Sequence, residues 1–268
     1  MRYDSGVSDT LDKAALRFER YVAVGDSSTE GLDDPDGNGG YRGWANRLAE
    51  QIACAQGSLL YANLAIRGRC TRQIREEQLD RALAMRPDLA SVFCGTNDLL
   101  RREFDADAVG RDVEFMQRSF AEAGATVLTF TMVDLASVMP LARCVAPRLR
   151  ELNTTLRAVA AETGAILVDF ADEPMCSDRR FWSDDRLHAN AAGHERMAIA
   201  LTVALGFAPP SDDWNEPLPP EPRRTVGRRL ADELRWGGKH LVPWVGRRLR
   251  GRSSGDDVKS KRPELRAI

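Results

Sequence analysis

Five short apolar runs alternate along the chain with longer stretches of helical periodicity. The runs are Arg20–Gly25, Leu59–Leu64, Ala90–Gly95, Thr126–Thr131 and Ile166–Phe170. Nearly every position in them is apolar, the pattern of strands covered on both faces. Helical spacing predicts helices near Gly43–Ala55, Arg72–Met85, Asp107–Ala123, Pro147–Thr163 and Asn190–Leu205. Pro147 sits where a first helical turn tolerates it, and Gly124, Gly164 and Gly206 fall where helices should stop. Strand–helix alternation with short connections predicts an α/β fold, a parallel sheet sandwiched by helices. In such sheets function gathers at the carboxyl ends of the strands.

The texture changes after Phe207. Pro209, Pro210, Pro217, Pro219, Pro220 and Pro222 crowd a segment that can be neither helix nor central strand. The expected organisation is a catalytic domain over 1–208, a proline-rich linker over 209–222 and a basic, amphipathic C-terminal extension over 223–268.

Composition sharpens this division. The 268 residues are 43% hydrophobic and 29% charged, as in globular proteins, with a net charge of −2. Residues 223–252 hold ten Lys/Arg against Asp232 and Glu233, so this stretch carries +8 and the remainder −10. Val226, Leu230 and Leu234 recur every four residues among those arginines. Residues 223–252 are therefore a candidate for contact with an anionic membrane surface or a protein. The same stripe can equally pack on the catalytic domain. Nucleic acid is not an expected partner, because the body is acidic and no base-stacking motif occurs. No apolar run approaches the ~20 residues of a membrane span, and the polar N-terminus lacks the apolar core of a secretory signal. Five scattered cysteines, with no C-x-x-C pair, suit reduced thiols. A cytoplasmic location is the expectation, with peripheral membrane association left open.

Four polar motifs fall at strand ends or just before the last helix. They are Gly25-Asp26-Ser27, Asn63 to Gly68, Gly95-Thr96-Asn97-Asp98 and Asp185-Arg186-Leu187-His188. Acyl transfer needs a hydroxyl activated by a base and donors aimed at the developing oxyanion. Ser27 supplies the candidate nucleophile where a strand turns into a helix. His188, one of three histidines, is the candidate general base. Asp185, three residues earlier, can fold back to accept the imidazole Nδ1–H; its rival Asp184 fits that spacing less well. The candidate oxyanion donors are the backbone N–H groups of Ser27 and Gly68 and the side-chain amide of Asn97.

These four blocks resemble those of the SGNH hydrolases, the GDSL-type esterases and lipases: Ser27, Gly68, Asn97 and His188 supply the letters in order. The likeness spans roughly Tyr21 to Leu205, including Asn190-Ala-Ala-Gly193-His194. It implies a flavodoxin-like three-layer α/β/α sandwich with a five-stranded parallel sheet of order 2-1-3-4-5. It also implies activity on small-molecule acyl esters or thioesters, with no metal and no organic cofactor. Ser28 departs from the family's usual Leu, and the region after Phe207 has no counterpart in the minimal fold.

Other motifs carry blander readings. Asp34-Pro-Asp36-Gly-Asn38-Gly39 begins like a calcium loop, but Ala45 stands where its final Glu belongs. Arg67 and Arg69 bracket Gly68 and could meet an anionic substrate or simply face solvent. Asp26 and Asp98 suit capping of turn amides, His194 a surface or packing role, and Cys94 the core. Two further functions compete with hydrolysis. One is acyl transfer by the same triad to another acceptor. The other is a non-catalytic flavodoxin-like binding module, against which the chain lacks G-x-G-x-x-G and G-x-x-x-x-G-K-[ST].

Overall fold

The computed structural model describes residues 17–171, 173–211, 214–220, 235–241, 243 and 255–268. The apolar runs form strands β1 (Arg20–Gly25), β2 (Leu60–Asn63), β3 (Leu89–Phe93), β4 (Thr126–Phe130) and β5 (Ile166–Val168). They pair in parallel in the order 2-1-3-4-5. The full sheet has six strands, one more than expected. The sixth, β6 (Arg262–Ala267), pairs antiparallel with β2, setting Leu60 opposite Ala267 and Asn63 opposite Arg262. Residues from the end of the basic extension thus complete the edge of the main sheet. A Pro and three charged residues hid this strand: they read as loop, yet an edge strand tolerates Pro263 and uses charge to discourage further pairing.

The helices are α1 (Ser27–Glu30), α2 (Gly43–Gln56), α3 (Thr71–Ala84), α4 (Thr96–Leu99), α5 (Ala106–Glu122), α6 (Ala146–Thr163) and α7 (Ala191–Ala204). Helices α2 and α7 pack together on one face of the sheet, and α5 packs between α3 and α6 on the other. Both faces being covered explains the unbroken apolar runs: Val22, Val24, Leu89 and Leu128 are all buried. Phe130 anchors the core beneath the site, stacked on Phe93 with centroids 3.9 Å apart and edge-on to Phe170 at 5.4 Å. All five cysteines are free thiols. Among the described residues no helix is long and apolar enough to cross a membrane.

Lys261 fastens the start of β6 to the loop before α2. Its ammonium donates to the carbonyls of Tyr41 at 2.9 Å and Arg42 at 2.6 Å. Burial pulls its pKa down to about 8. Most of the linker is described, whereas most of the basic stretch, including Val226, Leu230 and Leu234, lies outside the described residues.

Candidate active site

Ser27 begins α1 directly after β1. Gly25 is required there for space, because a Cβ would lie 2.6 Å from the carbonyl oxygen of Phe93. Asp26 caps the helix, accepting from the backbone N–H of Ser28 at 3.1 Å. The Ser27 hydroxyl consequently projects beyond the sheet edge, where His188 Nε2 lies 2.8 Å from its Oγ. His188 Nδ1 in turn stands 2.6 Å from Asp185 Oδ2. Residues 161 positions apart in sequence are thereby joined through one imidazole.

The loop carrying Asp185 is itself organised by that carboxylate. Asp185 Oδ1 accepts from the backbone N–H groups of Leu187 at 2.9 Å and His188 at 3.0 Å, and from the Ser183 hydroxyl at 2.6 Å. Asp184 points elsewhere: it is exposed and faces Lys239 Nζ at 3.3 Å. Although burial opposes ionisation, the bonds and charge of His188 hold the Asp185 carboxyl far below the usual carboxylate range. Burial likewise opposes the imidazolium, but Asp185, with weaker help from Asp33 and Asp26, raises the His188 pKa. Asp33 Oδ2 is 3.9 Å from His188 Nδ1. Sequence reasoning did not nominate Asp33. Its backbone adopts a left-handed φ of 66°, which Asp tolerates better than most residues, and its distance from His188 in sequence gives no sign of the approach.

Asp33, Asp185 and His188 bring ligand-type atoms within 4.8 Å of one another. Two of those atoms are already bonded to each other, and the Asp185 carboxylate is engaged on both oxygens. The arrangement suits proton transfer better than metal binding.

Two remaining candidates lie at neighbouring strand ends. Gly68, in the turn after β2, has φ of 77°, a conformation that disfavours a side chain. Asn97, on α4 after β3, donates from Nδ2 to Asp26 Oδ2 at 3.1 Å and to the Arg69 carbonyl at 3.1 Å. Its amide plane is therefore fixed, with both amide hydrogens directed at protein oxygens. Asp26 is fully buried, and burial raises its pKa to about 6 against the bond from Ser28 and the charge of His188.

The other motifs resolve into structure. The Arg67 guanidinium pairs with buried Glu30 beneath the Tyr41 ring, and Arg69 Nε bonds Glu77 at 2.7 Å. Both arginines are thus held by protein carboxylates. Asp36 Oδ1 accepts from the backbone of Asn38 and Gly40 at 2.8 and 2.9 Å, while Asp34 pairs with Arg47. The calcium-like loop spends these carboxylates on its own folding. Asp98 accepts from Thr71 at the start of α3. His194 is buried, accepting from Trp44 N–H and donating to the Leu32 carbonyl, with its pKa lowered to about 4 by burial.

An apolar cavity of about 140 Å³ opens beside Ser27 and His188. Its walls come from the ends of β3 and β4, from Phe170, and from the segments covering them. None of the loop around Gly68 lines it. The cavity lies on the β3–β4–β5 side of Ser27.

The sequence profile of the GDSL-like Lipase/Acylhydrolase family matches residues 23–196, a span containing Ser27, Gly68, Asn97, Asp185 and His188. The chain belongs to this family. It is accordingly a carboxylic ester hydrolase. Solved structures of this GDSL-like fold agree with its architecture. TesA matches with 20% identity and a TM-score of 0.59, covering 70% of this chain and 98% of its own. LAE5, an alpha/beta hydrolase enzyme from the metagenome of Lake Arreo, Spain, matches with 20% identity and a TM-score of 0.60 over 70% of this chain and 95% of its own. A catalytic mutant of Axe2, an acetylxylan esterase from Geobacillus stearothermophilus, matches with 18% identity and a TM-score of 0.59 over 71% and 95%. No curated protein sequence matches the chain. The GDSL-like family profile ends within α7, so the linker, Trp236 and β6 lie beyond it.

Proposed function

We propose that this GDSL-like hydrolase cleaves small-molecule acyl esters through a covalent acyl-Ser27 intermediate. The observation carrying the proposal is the continuous chain from Ser27 Oγ through His188 to Asp185, at 2.8 and 2.6 Å. In the first half-reaction Ser27 Oγ bonds to the ester carbonyl carbon while its proton passes to His188 Nε2. The tetrahedral oxyanion then collapses, the carbon–oxygen bond to the alcohol breaks, and His188 returns the proton to the leaving oxygen. Water repeats the sequence, releasing a carboxylic acid and restoring Ser27. Asp185 stays ionised throughout, holding Nδ1–H and stabilising the imidazolium.

The N–H groups of Ser27 and Gly68 and the Asn97 amide serve as oxyanion donors. Asn97 carries a fixed donor plane but must share its hydrogens with Asp26 and the Arg69 carbonyl. The negative oxyanion is the stronger acceptor, so the bond is made best in the transition state. Acyl transfer to another alcohol would use the same groups. Hydrolysis is preferred because the matched family is one of lipases and acylhydrolases.

Location follows as part of this reading. Five free thiols suit a reducing, cytoplasmic setting. Peripheral membrane contact through 223–252 remains a proposal resting on that stretch's charge and apolar spacing.

Replacement tests the roles. Ser27→Ala should lose roughly 10³-fold or more of the activity on a short acyl ester. Asn97→Ala should lose about 10²–10³-fold, mostly in kcat. Full turnover by either folded variant would remove that residue from the mechanism.

A further inference from the structure

From the cavity beside Ser27 we infer that the preferred substrate is an ester of a linear, medium-length acyl chain, about six to ten carbons, with the chain buried inside. The inference rests on the acyl-serine reading, because it places the carbonyl carbon on Ser27 Oγ. From that point the open space leads away from the Gly68 turn and under the segment 135–145. One side of the substrate must fill it.

The walls decide which side. Phe93, Leu99, Phe130, Val145, Leu149 and Phe181 present hydrocarbon. The polar wall atoms away from the mouth are turned to protein partners: Thr131 Oγ1 donates to Asp169 at 2.7 Å and Trp182 Nε1 to the Cys176 carbonyl at 2.8 Å. A sugar or other polyhydroxy alcohol would lose its water bonds there and find few replacements. A hydrocarbon chain loses nothing. The leaving alcohol therefore stays at the mouth, beside half-buried Ser28 and His188.

Size sets the chain length. About 10–15 Å³ of such space already admits one water molecule, so the 140 Å³ cavity leaves room for many methylenes beyond an acetyl group and argues for hexanoyl upward. Four of the protein's seven methionines, Met132, Met139, Met175 and Met197, line the space. Unbranched thioethers repack readily around neighbours of different length. A broad plateau above six carbons follows, rather than a sharp optimum.

The test is kcat/KM across p-nitrophenyl acetate, butyrate, hexanoate, octanoate and decanoate, beside stoichiometric labelling of Ser27 by diethyl p-nitrophenyl phosphate. Burial of one methylene is worth about fourfold, so hexanoate should exceed acetate by about 10²-fold and decanoate should stay near hexanoate. Ala142→Phe and Met175→Trp each intrude into the cavity, and each should lower the octanoate-to-acetate ratio at least tenfold. Should both variants misfold, wild-type protein still decides: octanoate ion should protect Ser27 from the phosphate reagent at concentrations at least tenfold below propionate. Normal labelling with a flat or acetate-peaked profile, or equal protection by the two acids, would overturn the acyl-chain inference and leave acyl-Ser27 chemistry standing. Absence of labelling would instead bring down the reading beneath it.

Discussion

The side-chain amide of Asn97 donates to Asp26 Oδ2 across 3.1 Å, joining the end of β1 to the turn after β3. Asp26 is thus more than a helix cap: it orients the amide proposed to meet the oxyanion. Its burial has a cost that depends on pH. Because its folded pKa is raised from 3.8 to about 6, the folded state holds a proton that the unfolded chain releases between those values. Stability from this group is present below pH ~4 and lost as pH rises through ~6.

Asp26→Asn should separate those two effects. The variant keeps an acceptor for Ser28 N–H but ionises at no pH. Melting curves should show it gaining on wild type between pH 4 and pH 7, by on the order of 3 kcal/mol at most. Its kcat should fall about tenfold, since the Asn97 plane is no longer fixed by a carboxylate. A pH-independent difference in stability would show that Asp26 does not carry the buried charge.

Asp33 offers a cleaner handle on the imidazole than Asp185. Asp185→Asn should cost about 10³–10⁴-fold in kcat by spoiling the tautomer. Asp33 contributes only charge, 3.9 Å from Nδ1. His188 must be neutral to accept the Ser27 proton, so its raised pKa puts the acid limb of kcat/KM above the ordinary histidine value of 6.5. Asp33→Asn should move that limb to lower pH while leaving the plateau within a few-fold. An unmoved limb would exclude Asp33 from the electrostatics of the site.

Trp236 reaches the same loop from beyond the family's matched region. Its indole N–H donates to the Asp185 carbonyl at 3.3 Å, and its ring lies 4.7 Å from the guanidinium carbon of Arg186. Arg186 is buried, has a left-handed φ of 62°, and also donates to the Val138 carbonyl at 3.4 Å. Trp236→Ala removes both interactions, worth about 1 kcal/mol. Roughly fivefold lower kcat with nearly constant KM is expected, with Trp236→Phe intermediate because its ring still covers Arg186. Wild-type kinetics in Trp236→Ala would confine this contact to packing.

What the sequence revealed follows from where the free energy comes from. Strands β1 to β5 were legible because burial on both faces demands apolar residues throughout, and Ser27, Asn97 and Asp185–His188 were legible because parallel strands end at one edge. Strand β6 was not, since its fit to β2 comes from backbone pairing and from Lys261 and Arg262 bonding to carbonyls. Such bonds leave no periodic trace. Arg67 and Arg69 looked available because their partners, Glu30 and Glu77, reach them only after folding. Asp33 and Trp236 were hidden for the same reason: each arrives at His188 or Asp185 through a loop conformation or a distant segment.

The most direct test is the mass of the intact protein after rapid mixing with a p-nitrophenyl ester and acid quenching. We expect a transient increase equal to one acyl group, mapped by peptide fragmentation to Ser27, absent in Ser27→Ala and greatly slowed in His188→Ala. Ester turnover persisting in Ser27→Ala, or an acyl group found on another side chain, would contradict the account.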